Sequence, residues 1–263
     1  MSPLGSILRN GRQAASSGRL KVEGSPGGQV YLRFGRVIAA TTPASPGPES
    51  LLLRSGRVSE DDWNVAFSAG APTGRVGPEL VDRGSVGSAG LEVVCLMATF
   101  DALFAMALFG AGAGTMEPLG PGDLLPNLLV QPGIPIERLD RETARRLEIA
   151  AGWQEIGVTP QCRPAAARAA AESPIRPDAL RQSVLAKANG RRTPRDIAFT
   201  LGQGLFVVMQ EIADMAREGL VVTDPPPPSE DEPTLDDDSL RLPLLPRHNA
   251  TASRPRGGED PQE

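Results

Sequence analysis

Residues 91–109 are almost all apolar, and a helix of that composition is stable only when something apolar surrounds it on every side. A bilayer or a protein core would serve. Asp101 stands at the centre of the stretch, where lipid would cost about 2.5–3.5 kcal/mol. Glu92 lies near its start, and no Lys or Arg flanks either end. The stretch is therefore expected to be a buried core helix, with no membrane as partner. With 40% hydrophobic but only 4% aromatic residues, the core around it must be built from Leu, Val, Ala and Ile.

A chain of 263 residues allows about two domains of roughly 100–200 residues each. Its net charge of −5 is unevenly placed. Residues 224–263 carry ten acidic and four basic residues, a net of −6, whereas the preceding 223 residues are near neutral at +1. No domain has the basic balance that nucleic-acid binders usually show. The tail holds nine Pro and the blocks Glu230-Asp231-Glu232 and Asp236-Asp237-Asp238, so it is expected to be disordered. Within it, Leu240, Leu242, Leu244 and Leu245 form an apolar island. The two cysteines, Cys95 and Cys162, give neither a disulfide framework nor a zinc spacing. The start, Met1-Ser2-Pro3-Leu4, has no apolar run and no small-residue cleavage site. Both observations agree with a reducing, cytoplasmic setting.

Alternation of apolar and polar residues predicts a small antiparallel meander over the first forty residues. Its strands are 18–22, 29–34 and 37–40, with turns at Ser25-Pro26-Gly27-Gly28 and Gly35-Arg36, and with Val30, Leu32 and Phe34 on one side. Two similar helical passages follow at an offset of 28. Leu52-Leu53-Arg54-Ser55-Gly56-Arg57-Val58 leads into Trp63, and Leu80-Val81-Asp82-Arg83-Gly84-Ser85-Val86 leads into Leu91. In each, a helix ends at a Gly, a Val turns inward and a new helix starts, with Ser59 and Asp62 as an N-cap and acidic first turn. Residues 111–127 read as a Gly/Pro-rich loop. Ile136, Leu139, Thr143, Leu147, Ala150 and Trp153 then recur at helical spacing, with Glu137, Arg138, Arg141, Arg145 and Glu148 on the other face. Residues 160–177 read as an Ala/Pro/Arg linker.

The run Gly28-Gln29-Val30-Tyr31-Leu32-Arg33-Phe34-Gly35-Arg36-Val37-Ile38-Ala39-Ala40 resembles the PATAN-type domain, whose hairpin displays such a tyrosine, arginine, glycine–arginine and alanine pattern before a helical insert. The paired passages around Gly56 and Gly84, and the helix around Arg145-Arg146, are similar to the remainder of that family's pattern. The resemblance covers about residues 4–155. It implies a bacterial, non-catalytic domain that mediates protein–protein contacts in signalling.

Residues 180–222 resemble the winged helix-turn-helix units of MarR-type transcriptional regulators. Val184, Leu185 and Ala188 supply a first helix, and Asn189-Gly190-Arg191-Arg192 is the connection. Thr193, Pro194 and Asp196 start a second helix in the manner of an N-cap, first position and acidic turn. Leu205, Val208, Met209, Ile212 and Ala216 line a third, and Leu220-Val221-Val222 is a strand. Pro225 to Pro228 follow at once and leave no room for a second wing strand.

The expected fold class is thus α+β. It comprises a small antiparallel meander with a helical insert (4–155), a linker (156–177), a mainly helical winged-helix-like domain (178–223) and a disordered acidic tail (224–263). The resemblance makes duplex DNA the first expected partner, read by a non-enzymatic regulator. Phosphate contacts would come from Arg191, Arg192 and Arg195 and base contacts from Gln203 and Gln210. Against this, Glu211 and Asp214 on the third helix repel phosphate, and Phe206 and Val207 are poor base readers. Phe206 and Val207 suit a protein interface, which favours a signalling adaptor instead, or else they belong to the core. Asp101 either bonds to a neighbouring helix N-terminus or forms a polar lock at a homodimer face. No catalytic residue, metal site or cofactor is expected. The only histidine, His248, lies in the Pro-rich tail, and Cys95 sits in the apolar helix.

Overall fold

In the computed structural model, residues 3–14, 16–120, 123, 125–168, 170 and 178–223 are described. The tail, His248 and residues 171–177 of the expected linker lie outside them. Among the described residues the protein is a mixed α and β structure with a five-stranded antiparallel sheet and nine α-helices.

The predicted meander is present as β1 (Gly18–Val22), β2 (Gly28–Arg33) and β3 (Arg36–Thr41). Leu20 pairs with Val30, and Val30 with Ala40, so one face of the sheet is uniformly apolar. Two further strands extend it to the order β4-β1-β2-β3-β5. β4 (Gly114–Glu117) pairs with β1 from within the stretch expected to be loop, and β5 (Ile134–Pro135) pairs with β3. Phe34 departs from the expectation of a core-facing side. It sits in the β2–β3 turn, 84% exposed, because β2 ends at Arg33 and a φ of 51° takes Phe34 out of the strand.

Helix α1 (Pro3–Ala14) precedes the sheet and buries Leu4 and Leu8 against it. The duplicated passages are α2 (Pro48–Arg54) with α3 (Glu60–Gly70), and α4 (Val76–Asp82) with α5 (Ser88–Leu108). Their shared geometry is visible in the main chain. The Leu52 carbonyl accepts the amides of Arg57 and Val58 at 3.0 and 3.2 Å. Twenty-eight residues on, the Leu80 carbonyl accepts those of Ser85 and Val86 at 3.0 and 3.4 Å. Gly56 and Gly84 take φ of 70° and 73°, the left-handed turn that lets each chain double back. Ser59 caps α3 by accepting the Asp62 amide at 3.1 Å.

Helix α5 is the axle of the molecule. It is long and apolar enough to cross a membrane, but 67% of its apolar window is buried inside the fold. One side of it, from Val94 to Met106, packs with the sheet, α1, α2 and α4. The other, through Phe104 and Ala105, enters a second core. That core also takes Ala150 and Trp153 of α6 (Ile136–Gln154) and the inner faces of α7 (Ala179–Lys187), α8 (Pro194–Leu201) and α9 (Leu205–Arg217).

The expected division into domains at 156–177 is corrected by this second core. The described residues belong to one compact unit, in which α7–α9 share their apolar centre with α5 and α6. The described part of the linker is built in as well. Val158 and Cys162 are buried. β6 (Ala165–Ala166) pairs with β7 (Val221–Val222), and the amides of Ala166 and Gly190 bond across to Ala188 and Pro164 at 2.9 Å. The expected cap of α8 is present as a full capping box, with Thr193 accepting the Asp196 amide and Asp196 accepting that of Thr193.

Candidate functional site

Helix α9 is the element on which the sequence-based expectations converge, and its first turn has a supply problem. An α-helix begins with backbone amides that have no partner within it. Gly204, at the N-cap, has no side chain to offer one. Asp101 supplies both acceptors from the middle of α5. Its Oδ2 accepts the Leu205 amide at 2.6 Å and its Oδ1 the Phe206 amide at 2.9 Å. A carboxylate at a helix N-terminus also sits favourably in the helix dipole.

Arg146 of α6 completes the arrangement. It is 4% exposed, with Nη1 at 3.6 Å from Asp101 Oδ1 and Nε donating to Glu142 Oε1 at 2.8 Å. Its guanidinium lies over two rings, 4.8 Å from the centroid of Phe206 and 5.6 Å from that of Phe100. Burial pushes the Asp101 carboxyl above its usual range, opposed by the amides of Phe206 and Leu205 and by Arg146. Glu142 goes the other way, held down to about 2 by its bonds from Arg145 and Arg146.

Two site expectations are corrected by this geometry. Phe206 is no exposed interface residue. It is 6% exposed and packs edge-on against Phe104 at 5.2 Å and tilted against Trp153 at 5.3 Å. Asp101 does not lie on a dimer face. It is 3% exposed, and the helix-terminus role is the one it fills. Val207 is half-buried. The cause in each case is the shared core, which turns the first turn of α9 inward.

The expected phosphate contacts lie together before and at the start of α8. Arg191 and Arg195 are exposed and Arg192 is half-buried. Arg195 is engaged within the chain, its Nε donating to the Pro43 carbonyl at 2.8 Å and its guanidinium 5.5 Å from the Phe199 ring centroid. Of the expected base readers, Gln210 is exposed and Gln203 half-buried. The carboxylates that argued against DNA are paired: Arg181 of α7 bonds Glu211 at 3.0 Å and Glu218 at 2.9 Å, and Arg217 bonds Asp214 at 2.8 Å.

No family model matches the chain, and neither a curated protein nor a solved structure does.

The chemistry available at these positions is structural. Both oxygens of Asp101 are taken by amides, and the group is sealed from solvent. Cys95 is 3% exposed and burial pushes its thiol up to about 12, so it is a thiol and not a thiolate nucleophile at neutral pH. No group of three or more His, Cys, Asp or Glu side chains among the described residues is placed to hold a metal ion.

Arg146 and Glu142 were missed from sequence, although a signal existed. Arg146 lies three residues after Thr143 and four before Ala150, on the buried stripe of α6. A charge on such a stripe must meet a partner from another element. Arg181 carried no comparable signal, because its carboxylate partners are 30 and 37 residues away and reach it only through the tertiary fold.

Proposed function

We propose that the protein is a non-enzymatic regulatory adaptor, in which the winged-helix-like α7–α9 unit braces an interaction domain and does not read DNA. The observation that carries this reading is the burial of the α9 N-terminus under Asp101 and Arg146. A recognition helix enters the major groove with its early residues against base edges. Here Phe206, one of those early residues, is in the core together with Leu205 of the inner face, and Val207 is half-buried. Withdrawing them would strip the cap from α9 and open the shared core. The resemblance of residues 4–155 to the PATAN-type domain, whose members mediate protein contacts in bacterial signalling, supports the same reading.

A second reading, a DNA-binding transcriptional regulator, is favoured by the exposed Arg191 and Arg195 beside Arg192, and by the exposed Gln210. Binding would then rest on phosphate contact from the α7–α8 turn.

The test is titration of the full-length chain with random-sequence duplex DNA at about 50 and about 200 mM salt. The adaptor reading expects no binding above that of an acidic control protein at either salt. Affinity that falls steeply with salt and is lost in Arg191→Glu/Arg192→Glu would overturn it in favour of the regulator.

A further inference from the structure

Three arginines meet at the turn between α7 and α8 with no acid among them. The chain entering β6 runs alongside this turn. The Gly190 amide donates to the Pro164 carbonyl at 2.9 Å, and Ala165 bridges to Asn189. One step further, Arg163 Nη1 donates to the Arg191 carbonyl, which belongs to the peptide joining Arg191 to Arg192. The Arg163 guanidinium therefore lies where the other two side chains start, since successive Cα atoms are only about 3.8 Å apart. Arg163 and Arg191 are exposed and Arg192 is half-buried.

Like charges held this close repel and work against the pairing that brings them together. Elsewhere the fold answers its cations: Arg146 meets Glu142, Arg181 meets Glu211 and Glu218, and Arg217 meets Asp214. Here, among the described residues, no carboxylate pairs with Arg163, Arg191 or Arg192, and the Arg191 and Arg192 side chains make no hydrogen bond. The nearest acid in sequence, Asp196, is committed to Thr193 in the capping box of α8. Arg195 turns instead to the Pro43 carbonyl and the Phe199 ring. The cluster thus keeps open donors and lacks a counter-charge, in a chain whose net charge is −5. Places where a sequence breaks local rules without a local gain are where function is to be sought.

Guanidinium forks match both carboxylate and phosphate. Charge decides between them. A carboxylate brings one negative charge and two acceptor oxygens, whereas a phosphate monoester brings about −1.5 to −2 at neutral pH and three strong acceptors. The second comes nearer to balancing three cations at one point. A DNA duplex fits less well, because it needs an element in a groove as well as phosphate contacts, and Phe206 in the first turn of α9 is in the core. We propose that Arg163, Arg191 and Arg192 bind the phosphate monoester of a phosphorylated side chain on a partner protein. The inference deepens the adaptor reading and rests on it for the partner being a protein.

Amide NMR of the full-length chain tests it, by titration at pH about 7.5 with an end-capped glycine pentapeptide carrying one central phosphoserine. Saturable shifts are expected at Arg163 and at residues 189–192, with a dissociation constant on the order of 1 mM for a single held group. The same peptide with serine or aspartate at its centre should bind about tenfold more weakly or less. Lowering the pH to about 5.5 should weaken the phosphopeptide about threefold, because the second phosphate pKa is about 6 while the arginines keep their charge. Arg191→Gln/Arg192→Gln leaves the Arg163 bond and the Gly190–Pro164 pairing in place and should weaken binding about tenfold. Arg163→Gln should weaken it as a separate variant. Absence of saturable shifts at about 20 mM peptide overturns the proposal. So does an aspartate peptide that binds equally well, or a folded Arg191→Gln/Arg192→Gln chain with unchanged affinity. Shifts that saturate at other residues overturn it too. Failure of this site leaves the adaptor reading standing, which falls only to salt-sensitive binding of DNA.

Discussion

The carboxylate of Asp101 accepts the backbone amide of Phe206, 105 residues further along the chain, at 2.9 Å. This bond ties the middle of α5 to the start of α9, and with Arg146 it forms the polar centre of an otherwise apolar core.

Asp101→Ala removes both acceptors from the α9 terminus and one of the carboxylates facing buried Arg146. The expected loss is about 3–5 kcal/mol, the usual effect of breaking a buried pair from one side. Asp101→Asn keeps an acceptor oxygen but loses the charge, and should cost about 1–3 kcal/mol. Urea denaturation of both variants measures this. A loss below about 1 kcal/mol for Ala would show that the α9 amides find other partners.

Glu142 gives the protein an acid-sensitive component. Its carboxyl is held at about 2 in the fold against an ordinary 4.5, by the Arg145 and Arg146 hydrogen bonds. A lowered folded value stabilises in full above the ordinary one, and the gain is lost as pH falls from about 4.5 towards 2. Glu142→Gln should therefore lower stability at pH 7 and flatten the pH dependence across that window. Unfolding midpoints of the two proteins at several pH values would show it, and parallel curves would count against it.

The duplicated turns should respond alike to the same substitution. At Gly56 and Gly84 an added Cβ meets nothing within 4 Å, and φ is 70° and 73°. Gly56→Ala and Gly84→Ala therefore add backbone strain alone, about 1–2 kcal/mol each. Thermal melts should agree to within about 0.5 kcal/mol and the effects should add in the double variant.

Gly202 is a different case and tests whether α8 belongs to the same cooperative body as α2. Its φ is 60°, and an added Cβ would lie 2.7 Å from both the Arg54 Cβ and the Ser55 amide nitrogen. Gly202→Ala should cost more than Gly56→Ala, at least about 2–3 kcal/mol. Unfolding should remain one transition by tryptophan fluorescence and by far-UV circular dichroism. Two separated transitions would mean that α7–α9 melt on their own.

Much of this fold is legible in the sequence wherever the signal is local. The meander, the repeat at an offset of 28, the α6 periodicity and the Thr193–Asp196 cap all rest on neighbours within a few residues. Helix α1 gives no such local signal, because Gly5 and Gly11 interrupt it and its apolar residues are few. Those glycines are there for packing: a Cβ at Gly5 would run into the Asp140 carboxylate, and one at Gly11 would lie 3.1 Å from Leu20. β4 and β5 give none either, because they are four and two residues long and form only as partners for β1 and β3. The same limit applies at the candidate site. Phe206 satisfies a helical pattern facing either way, and only the position of Asp101 on α5 decides which.

The span between Asp101 and its acceptor-seeking amides also sets an order of events during synthesis. At roughly 5–20 residues per second, Asp101 is added to the chain about 5–20 s before Leu205 and Phe206 exist. Through that interval the nascent chain holds a solitary acid in the middle of its greasiest segment, with nothing yet made that can quench it except Arg146. Helix α9 is thus the latch on α5, and synthesis that halts before residue 205 leaves α5 unlatched.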